Sequence, residues 1–407
     1  MARTLRLAVG IPTFREADSI ENVVRQVDEG LARLGNPSDC VIVNVDSDSP
    51  DQTSEVFLDT PTRCRKESLV ITERPRGKGR NVLRFFEYCA GCKVGALATV
   101  DGDLRSITPD WVMALLTPVL GGRSDYVTPL YLRHRFDGSA TNHFAYPTVR
   151  SYFGINLRQP IGGEFAFSPA LINYILRQPI EDAVLGYGID IFLTMHATGG
   201  GFKIDQVGLG RKLHKPSLPK WHLICSQAIA AAICTARRYR FQPGALASES
   251  VADFVDDLPQ FRARPGVRRF YDESQAMLAE ARSKARDLKP LYRSWLGGDR
   301  EGLFPAFEEN GAALSAEAWA ELASACLARA VWAESEVCAR VFADQLMPVL
   351  LIRIITCWNN TWERPIEEFN AEIRNQAELF RDCLLRRWRE NEERPMTILH
   401  GTNPSSA

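Results

Sequence analysis

Several features that would narrow the role of this chain at once are missing from it. Its 49 basic and 50 acidic residues nearly cancel to a formal charge of -1, and no long run of either sign occurs. That leaves no electrostatic case for nucleic acid or an anionic membrane surface, and small or neutral partners are expected. No apolar h-region follows Met1-Ala2-Arg3-Thr4-Leu5-Arg6, which argues against a secretory signal and for a cytoplasmic location. The longest apolar stretches, Ala228 to Cys234 and Met347 to Cys357, are short or interrupted by Arg353 and fall below the roughly 20 residues that span a bilayer, so no membrane span is expected. Ten cysteines are scattered over 407 residues with Cys89-Ala90-Gly91-Cys92 as the single close pair, and the second pair of a zinc knuckle is missing. Packed, reduced thiols follow. The pattern GxxxxGK followed by Ser or Thr is also lacking, which counts against a P-loop NTPase.

What is present is ordered repetition. Leu5 to Ile11 reads as an apolar strand, broken by Pro12-Thr13-Phe14-Arg15-Glu16 before a helix carrying Ile20, Val23, Val24, Val27 and Leu31 at helical spacing. Asp18 and Glu21 have the spacing of a capping box. Further strands are expected at Cys40 to Val45, Leu69 to Thr72 and Gly95 to Val100, with helices from about Gln52 and from Pro75 to Tyr88. This β-α-β-α-β order predicts an α/β fold, a mostly parallel Rossmann-like sheet with helices on both faces and ligands at the carboxyl ends of its strands. Phe202 to Val207 reads as the last strand.

Beyond about Trp221 the character changes. No glycine occurs between Gly311 and Gly401, six of eight tryptophans lie from Trp295 onward, and Ala318, Leu322, Cys326, Ala330, Val337, Val341, Leu346, Leu350 and Ile354 trace long helices. Because 407 residues exceed the usual single core, two parts are expected, a catalytic 1–222 and a helical 223–407.

The chemistry gathers in the loops. Asp101-Gly102-Asp103 places two carboxylates after a buried strand, where a divalent cation such as Mg2+ or Mn2+ can hold a nucleotide diphosphate. Asp-Gly is also ordinary turn chemistry, so the triplet alone decides nothing. His214, just after the last strand, is the natural imidazole partner, although a histidine in a basic loop is more often merely solvated. Lys78 lies between Gly77 and Gly79, where it can present an ammonium to phosphate while the glycines admit the backbone.

Seven stretches in this order, Ile11 to Glu16, Val45 to Ser49, Arg76 to Gly79, Val100 to Asp103, Gln159 to Glu164, Gly186 to Asp190 and Leu213 to Pro216, resemble retaining GT-A glycosyltransferases of the mannosylglycerate synthase and glucosyl-3-phosphoglycerate synthase type. The resemblance covers roughly residues 5–220. It implies a metal-dependent transfer of glucose or mannose from a UDP- or GDP-hexose to D-glycerate or a related small hydroxy acid. It further implies that Pro12, Thr13, Phe14, Glu16, Ser47, Lys78, Asp101, Gly102, Gly163 and Lys212 bind the nucleotide sugar, and that Asp103 and His214 hold the metal. Asp190, Asp101 and Glu164 would serve the reaction, and Arg135, Thr141, Asn142 and Tyr187 the acceptor. A homodimer is expected through the helical part.

The phosphoglycerate enzymes carry a Gly-Arg-x-Thr stretch where this chain reads Gly138-Ser139-Ala140-Thr141-Asn142, and the missing arginine argues for free glycerate bound by Arg135. Three alternatives stand beside this: a glucosyl-3-phosphoglycerate synthase; an inverting family-2-type transferase acting on a polyprenyl phosphate or natural product, which needs a base; and a non-catalytic nucleotide-sugar sensor.

Overall fold

Leu7, Val9 and Ile11 alternate with Ala8 along the first strand, and this period of two sends neighbouring side chains to opposite faces of a sheet that is covered on both. The computed structural model describes residues 4–215, 220–239, 267–297, 301–332, 336–361 and 364–392. Pro216, Trp362, the last residues of the chain and the side chain of Val337 lie outside the described parts.

In chain order the first part runs β1 (Thr4–Thr13), α1 (Ile20–Leu34), β2 (Cys40–Asp46), α2 (Thr53–Asp59), β3 (Arg65–Val70), α3 (Lys78–Ala90), β4 (Lys93–Thr99), α4 (Pro109–Leu120) and β5 (Tyr126–Leu132). It continues through α5 (Tyr146–Phe153), β6 (Phe165–Phe167), α6 (Pro169–Ile175), α7 (Asp182–Leu185), α8 (Ile189–Gly199) and β7 (Ile204–Arg211). The sheet order is β3-β2-β1-β4-β6-β5-β7, and β6 runs antiparallel to both its neighbours. The chain builds outward from β1 to β3 and then returns to lay β4 on the other side of β1, so the topological switch point lies between β1 and β4. Because β6 is reversed and Phe165 pairs with Thr99, the loop before β6 reaches the edge where β1, β4, β5 and β7 end.

One face of the sheet is covered by α1 and α4, with Val23, Val27, Leu31, Trp111 and Leu115 packed on Leu7, Val9 and Ile11. The other is covered by α3, α5, α6 and α8, and there the core is continuous with the helical part. That part comprises α9 (Trp221–Tyr239), α10 (Val267–Asp287), α11 (Lys289–Leu296), α12 (Ala316–Val331), α13 (Glu336–Thr361) and α14 (Ile366–Glu392). The division expected at 222/223 falls inside α9, which packs against α8 and α13 alike.

The expected capping box does not form. Ser19 precedes α1, with its hydroxyl bonded to Gly102 O at 2.9 Å, and Asp18 is drawn instead to Lys215 Nζ at 2.7 Å. Nor does the apolar stretch around Met347 end at Arg353. Among the described residues Cys338–Thr361 is the one helical segment long and apolar enough to cross a membrane, and 72% of its most apolar window is buried inside the protein. Arg353, 1% exposed, is absorbed there by Glu372, by Gln376 Oε1 at 2.7 Å and by Leu314 O at 3.0 Å.

Candidate active site

At the carboxyl edge of the sheet lies a cavity of about 720 Å3, within the size range of small-molecule sites. Its floor is the β1/β4 switch point. Pro12, Thr13, Phe14 and Glu16 line it from the end of β1, Ser47 from β2, Asp101, Gly102 and Asp103 from β4, and Lys212 and His214 from the end of β7. Lys78, Gly163, Thr141, Tyr187 and Asp190 complete the set of sequence-chosen residues that share it.

The β1 and β2 side is a fixed hydrogen-bond frame. Thr13 Oγ1 donates to Asp46 Oδ2 at 2.7 Å, and the same carboxylate accepts from the Ser49 hydroxyl at 2.7 Å. Ser47 Oγ donates to Asn81 Oδ1 at 2.9 Å. Phe14, only partly buried, is flanked by the guanidinium groups of Arg15 and Arg76 at 5.2 and 4.8 Å from its ring centre, which leaves a flat, cationic margin suited to a base or a phosphate.

In the middle of the cavity carboxylates and ammonium groups alternate. Lys78 Nζ lies 2.8 Å from Asp101 Oδ1 and 3.3 Å from Asp190 Oδ1, while Lys212 Nζ lies 2.7 Å from Glu164 Oε2 and 3.5 Å from Asp101 Oδ2. Burial alone would raise the Asp101 pKa, but the two ammonium groups outweigh it and hold this carboxyl well below its ordinary range. Burial likewise opposes the charge on Lys78, and Asp101 and Asp190 more than reverse it. Asp190 differs, since burial dominates there and raises its pKa above the ordinary carboxylate value, with Lys78 opposing. Asp101 is thus suited to holding a ligand, and Asp190 is the more basic of the two.

Close packing fixes this arrangement. A Cβ on Gly79 would lie 1.8 Å from Val184 O, and one on Gly77 2.1 Å from Leu185 O. The glycines beside Lys78 therefore admit the last turn of α7 and Gly186 after it, not a ligand, and Gly79 N donates to Gly186 O at 3.0 Å. Gly163 has φ of +103°, and a Cβ there would meet Asp101 Oδ2 at 2.6 Å, so glycine lets the loop before β6 pass over that carboxylate.

Asp103 and His214 come from distant stretches and line the same cavity next to Lys215. Burial, with Lys212 and Arg133 adding to it, pushes the His214 pKa down to about 3, which keeps the ring in the neutral form that ligates metals. Burial followed by the charge of Asp101 raises the Asp103 pKa, a cost that a cation would relieve. Among the described residues no group of three or more His, Cys, Asp or Glu could hold a metal ion. A neutral imidazole and a carboxylate are donors that suit a divalent cation whose remaining ligands would come from a diphosphate and water.

Three sequence-chosen residues do not line the cavity. Arg135 is spent on the α13 terminus, where Nη1 donates to Thr361 O and Nη2 to Arg364 O at 3.0 Å, with Phe369 beneath it. Both arginines lie beyond the end of β5, where strand alternation no longer sets side-chain direction, and it is Arg133, two positions back, that lines the cavity. Asn142 is 6% exposed and holds Arg158 through Oδ1 at 2.8 Å while its carbonyl accepts from Gln376 at 3.2 Å. Glu164, fully buried, is bound by Lys212 and the Tyr131 hydroxyl, so it positions Lys212 from behind. Sequence reasoning also missed a whole wall. Ile224 and Ala228 of α9, Met277 of α10, and Leu351, Ile354, Ile355 and Trp358 of α13 all face the cavity. The helical spacing of Ile354 with Leu350 was legible, but it reads equally as core.

The sheet order, with its β1/β4 switch point and reversed β6, is a GT-A-like fold, and residues 8–174 match the model of the family described as glycosyl transferase family 2. In sequence the chain is similar to the dolichol-phosphate mannosyltransferase of Pyrococcus furiosus, 25% identical over 196 residues that cover 44% of this chain and 51% of that protein. The chain thus spans about half the length of the curated relative it matches. Among solved structures it is similar to glucosyl-3-phosphoglycerate synthase from Mycobacterium tuberculosis in complex with phosphoglyceric acid, with 25% identity, 57% of this chain and 80% of that chain covered, and a TM-score of 0.46. It is also similar to mannosyl-3-phosphoglycerate synthase from Rubrobacter xylanophilus, with 21% identity, 64% and 84% coverage, and a TM-score of 0.47.

Proposed function

We propose that this protein is a cation-dependent glycosyltransferase that moves a hexose from a nucleoside diphosphate sugar to an acceptor hydroxyl. The observation that carries the reading is the convergence of Asp101, Asp103, His214, Lys78 and Lys212 on one cavity at the β1/β4 switch point. The family match over residues 8–174 supports it independently.

In this reading the frame around Thr13, Phe14 and Ser47 receives the nucleoside, and Lys78 and Lys212 sit on either side of Asp101 where the diphosphate meets the sugar. A divalent cation, Mg2+ or Mn2+, held by Asp103 and His214 would supply charge neutralisation for the departing diphosphate. Asp101 orients donor hydroxyls, Tyr187 and Thr141 flank the acceptor, and Asp190 lies beside the reacting centre.

A retaining, front-face course is our first choice, with the acceptor proton passing to the leaving diphosphate. One observation favours an inverting course as a second reading: the burial-raised pKa of Asp190 makes it a better base than Asp101. D-Glycerate as acceptor rested on Arg135, and that guanidinium is engaged elsewhere. The deciding experiment incubates the protein with UDP-glucose or GDP-mannose, Mn2+ or Mg2+ and an acceptor panel, and reads nucleoside diphosphate release and the anomeric configuration of the product. Cation-dependent release that drops by about 100-fold or more in Asp101→Asn is expected. Failure to bind either nucleotide sugar would sink the proposal.

A further inference from the structure

The half of the cavity away from the nucleoside frame is walled by hydrocarbon. Ile224 from α9, Met277 from α10, and Leu351, Ile354, Ile355 and Trp358 from α13 present apolar surface to it. Phe136 adds its ring from the loop after β5, 5.0 Å from that of Trp358. Three helices remote in sequence thus cover part of a site that elsewhere carries the linked charges of Asp101, Asp190, Lys78 and Lys212. A small hydroxy acid would leave this wall facing water and would find its carboxylate-binding arginine turned away. Polar side chains that share the cavity with this wall and Asp190 include Thr141, Tyr187, Gln227 and Ser274, and Gln227 Oε1 accepts from Tyr187 N at 2.8 Å, so a hydroxyl at the end of an apolar body has partners there. At the rim Leu223 is 51% exposed, so the apolar surface continues to the mouth.

We infer that the acceptor is a hydroxylated amphiphile, a molecule with an alkyl, isoprenoid or aryl body lying on the Ile224, Leu351 and Trp358 wall and its hydroxyl end at Asp190. The inference rests on the glycosyl-transfer reading above and specifies its acceptor. In the transfer the acceptor oxygen forms a bond to the anomeric carbon, the bond from that carbon to the diphosphate breaks with its electron pair on the leaving group, and the hydroxyl proton passes to the released diphosphate.

The test is a homologous series of n-alkanols from two to ten carbons, together with D-glycerate, offered with UDP-glucose or GDP-mannose and Mn2+. Burying each methylene contributes about 0.8 kcal/mol, so kcat/KM is expected to rise about fourfold per added methylene until the wall is filled. Alcohols in solution and a long-chain lipid alcohol in phosphatidylcholine vesicles form separate arms, which distinguish a free acceptor from a membrane-borne one. Ile224→Asn and Leu351→Asn, checked for folding by thermal melt, are expected to flatten the chain-length dependence, and Leu351→Met to restore it. If donor is bound and consumed but glycerate is the better acceptor, or if folded variants keep the fourfold increments, the inference is overturned while the glycosyl-transfer reading stands. If no nucleotide sugar binds at all, that earlier reading fails first.

Discussion

Gly79→Ala separates packing from ligand binding. Gly79 is the second residue of α3, and in a helix alanine would ordinarily add about 0.5–1 kcal/mol of stability. Here the new methyl would start 1.8 Å from Val184 O, so loop or helix must retreat by about 1.6 Å to reach the 3.4 Å at which ordinary contact begins. Overpacking of this kind costs about 1–3 kcal/mol, which leaves a net loss of up to about 2.5 kcal/mol once the helix gain is set against it. The retreat strains the bond from Gly79 N to Gly186 O and displaces the segment that carries Tyr187 and Asp190. A shift of about 1 Å at a reacting centre costs about 100-fold in rate.

The assay pairs a thermal melt with nucleoside diphosphate release. Were the glycines there to admit a phosphate, Gly79→Ala would weaken donor binding and leave the melting temperature unchanged or raised. The packing account expects a lower melting temperature and a rate loss of about 100-fold with donor affinity changed much less. A variant that melts higher than the parent and turns over normally would refute it.

Three further outcomes follow from the same structure. Arg353→Met should cost about 3 kcal/mol in denaturant unfolding, at the low end for a broken buried pair because Glu372 is one-third exposed, and a loss under about 1 kcal/mol would contradict the role given to Arg353. Burial pushes His143 and His196 down to about 3 from 6.5, so the unfolded chain takes up protons that the folded one refuses as pH falls from 6.5 towards 3. Stability should therefore drop by about 1.4 kcal/mol per pH unit for each histidine across that window, and His143→Gln should remove about that much from the slope; an unaltered slope refutes the assignment. Finally, calorimetry should detect Mn2+ binding far more strongly with a nucleoside diphosphate present than without it, and Asp103→Asn should abolish the difference, whereas tight binding to the free protein would point to ligands beyond Asp103 and His214.

Much of the sheet was legible because its strands are short apolar runs between helical repeats. Leu5 to Ile11 and Cys40 to Val45 fall within observed strands, Gly95 to Val100 overruns β4 by one residue at Val100, and Ile20, Val23, Val24, Val27 and Leu31 are buried along α1. Strand β3 was displaced, spanning Arg65–Val70 against an expected Leu69 to Thr72, since a half-exposed edge strand carries charge and has no continuous apolar signal. The cavity residues were legible where a loop must follow a strand at one edge of the sheet, as at Asp101 or His214. They were not where the signal was a side-chain direction. Arg133 and Arg135 are separated by a single residue, and only the path of the chain beyond β5 decides which faces the cavity. The apolar wall was hidden for another reason: a residue lining a cavity on its hydrocarbon side has the same periodicity as one in the core.

The charges explain why cation and nucleotide should bind together. Lys215 lies 2.7 Å from both Glu16 and Asp18, Lys212 bridges Glu164 and Asp101, and Lys78 bridges Asp101 and Asp190. Three lysines thus face five carboxylates, and Asp103 adds a sixth. Such a network holds each ammonium in place before a ligand arrives, which is the preorganisation that electrostatic stabilisation of a leaving group requires. It also means that the lysines are already matched by protein carboxylates, so a diphosphate entering alone would add negative charge to a site with no surplus of positive charge from them. A divalent cation at Asp103 and His214, as proposed above, would reverse that balance, and burial of His214 in its neutral form would keep the imidazole ready for it. Donor affinity should therefore depend on the cation far more steeply than the two direct protein ligands alone would suggest.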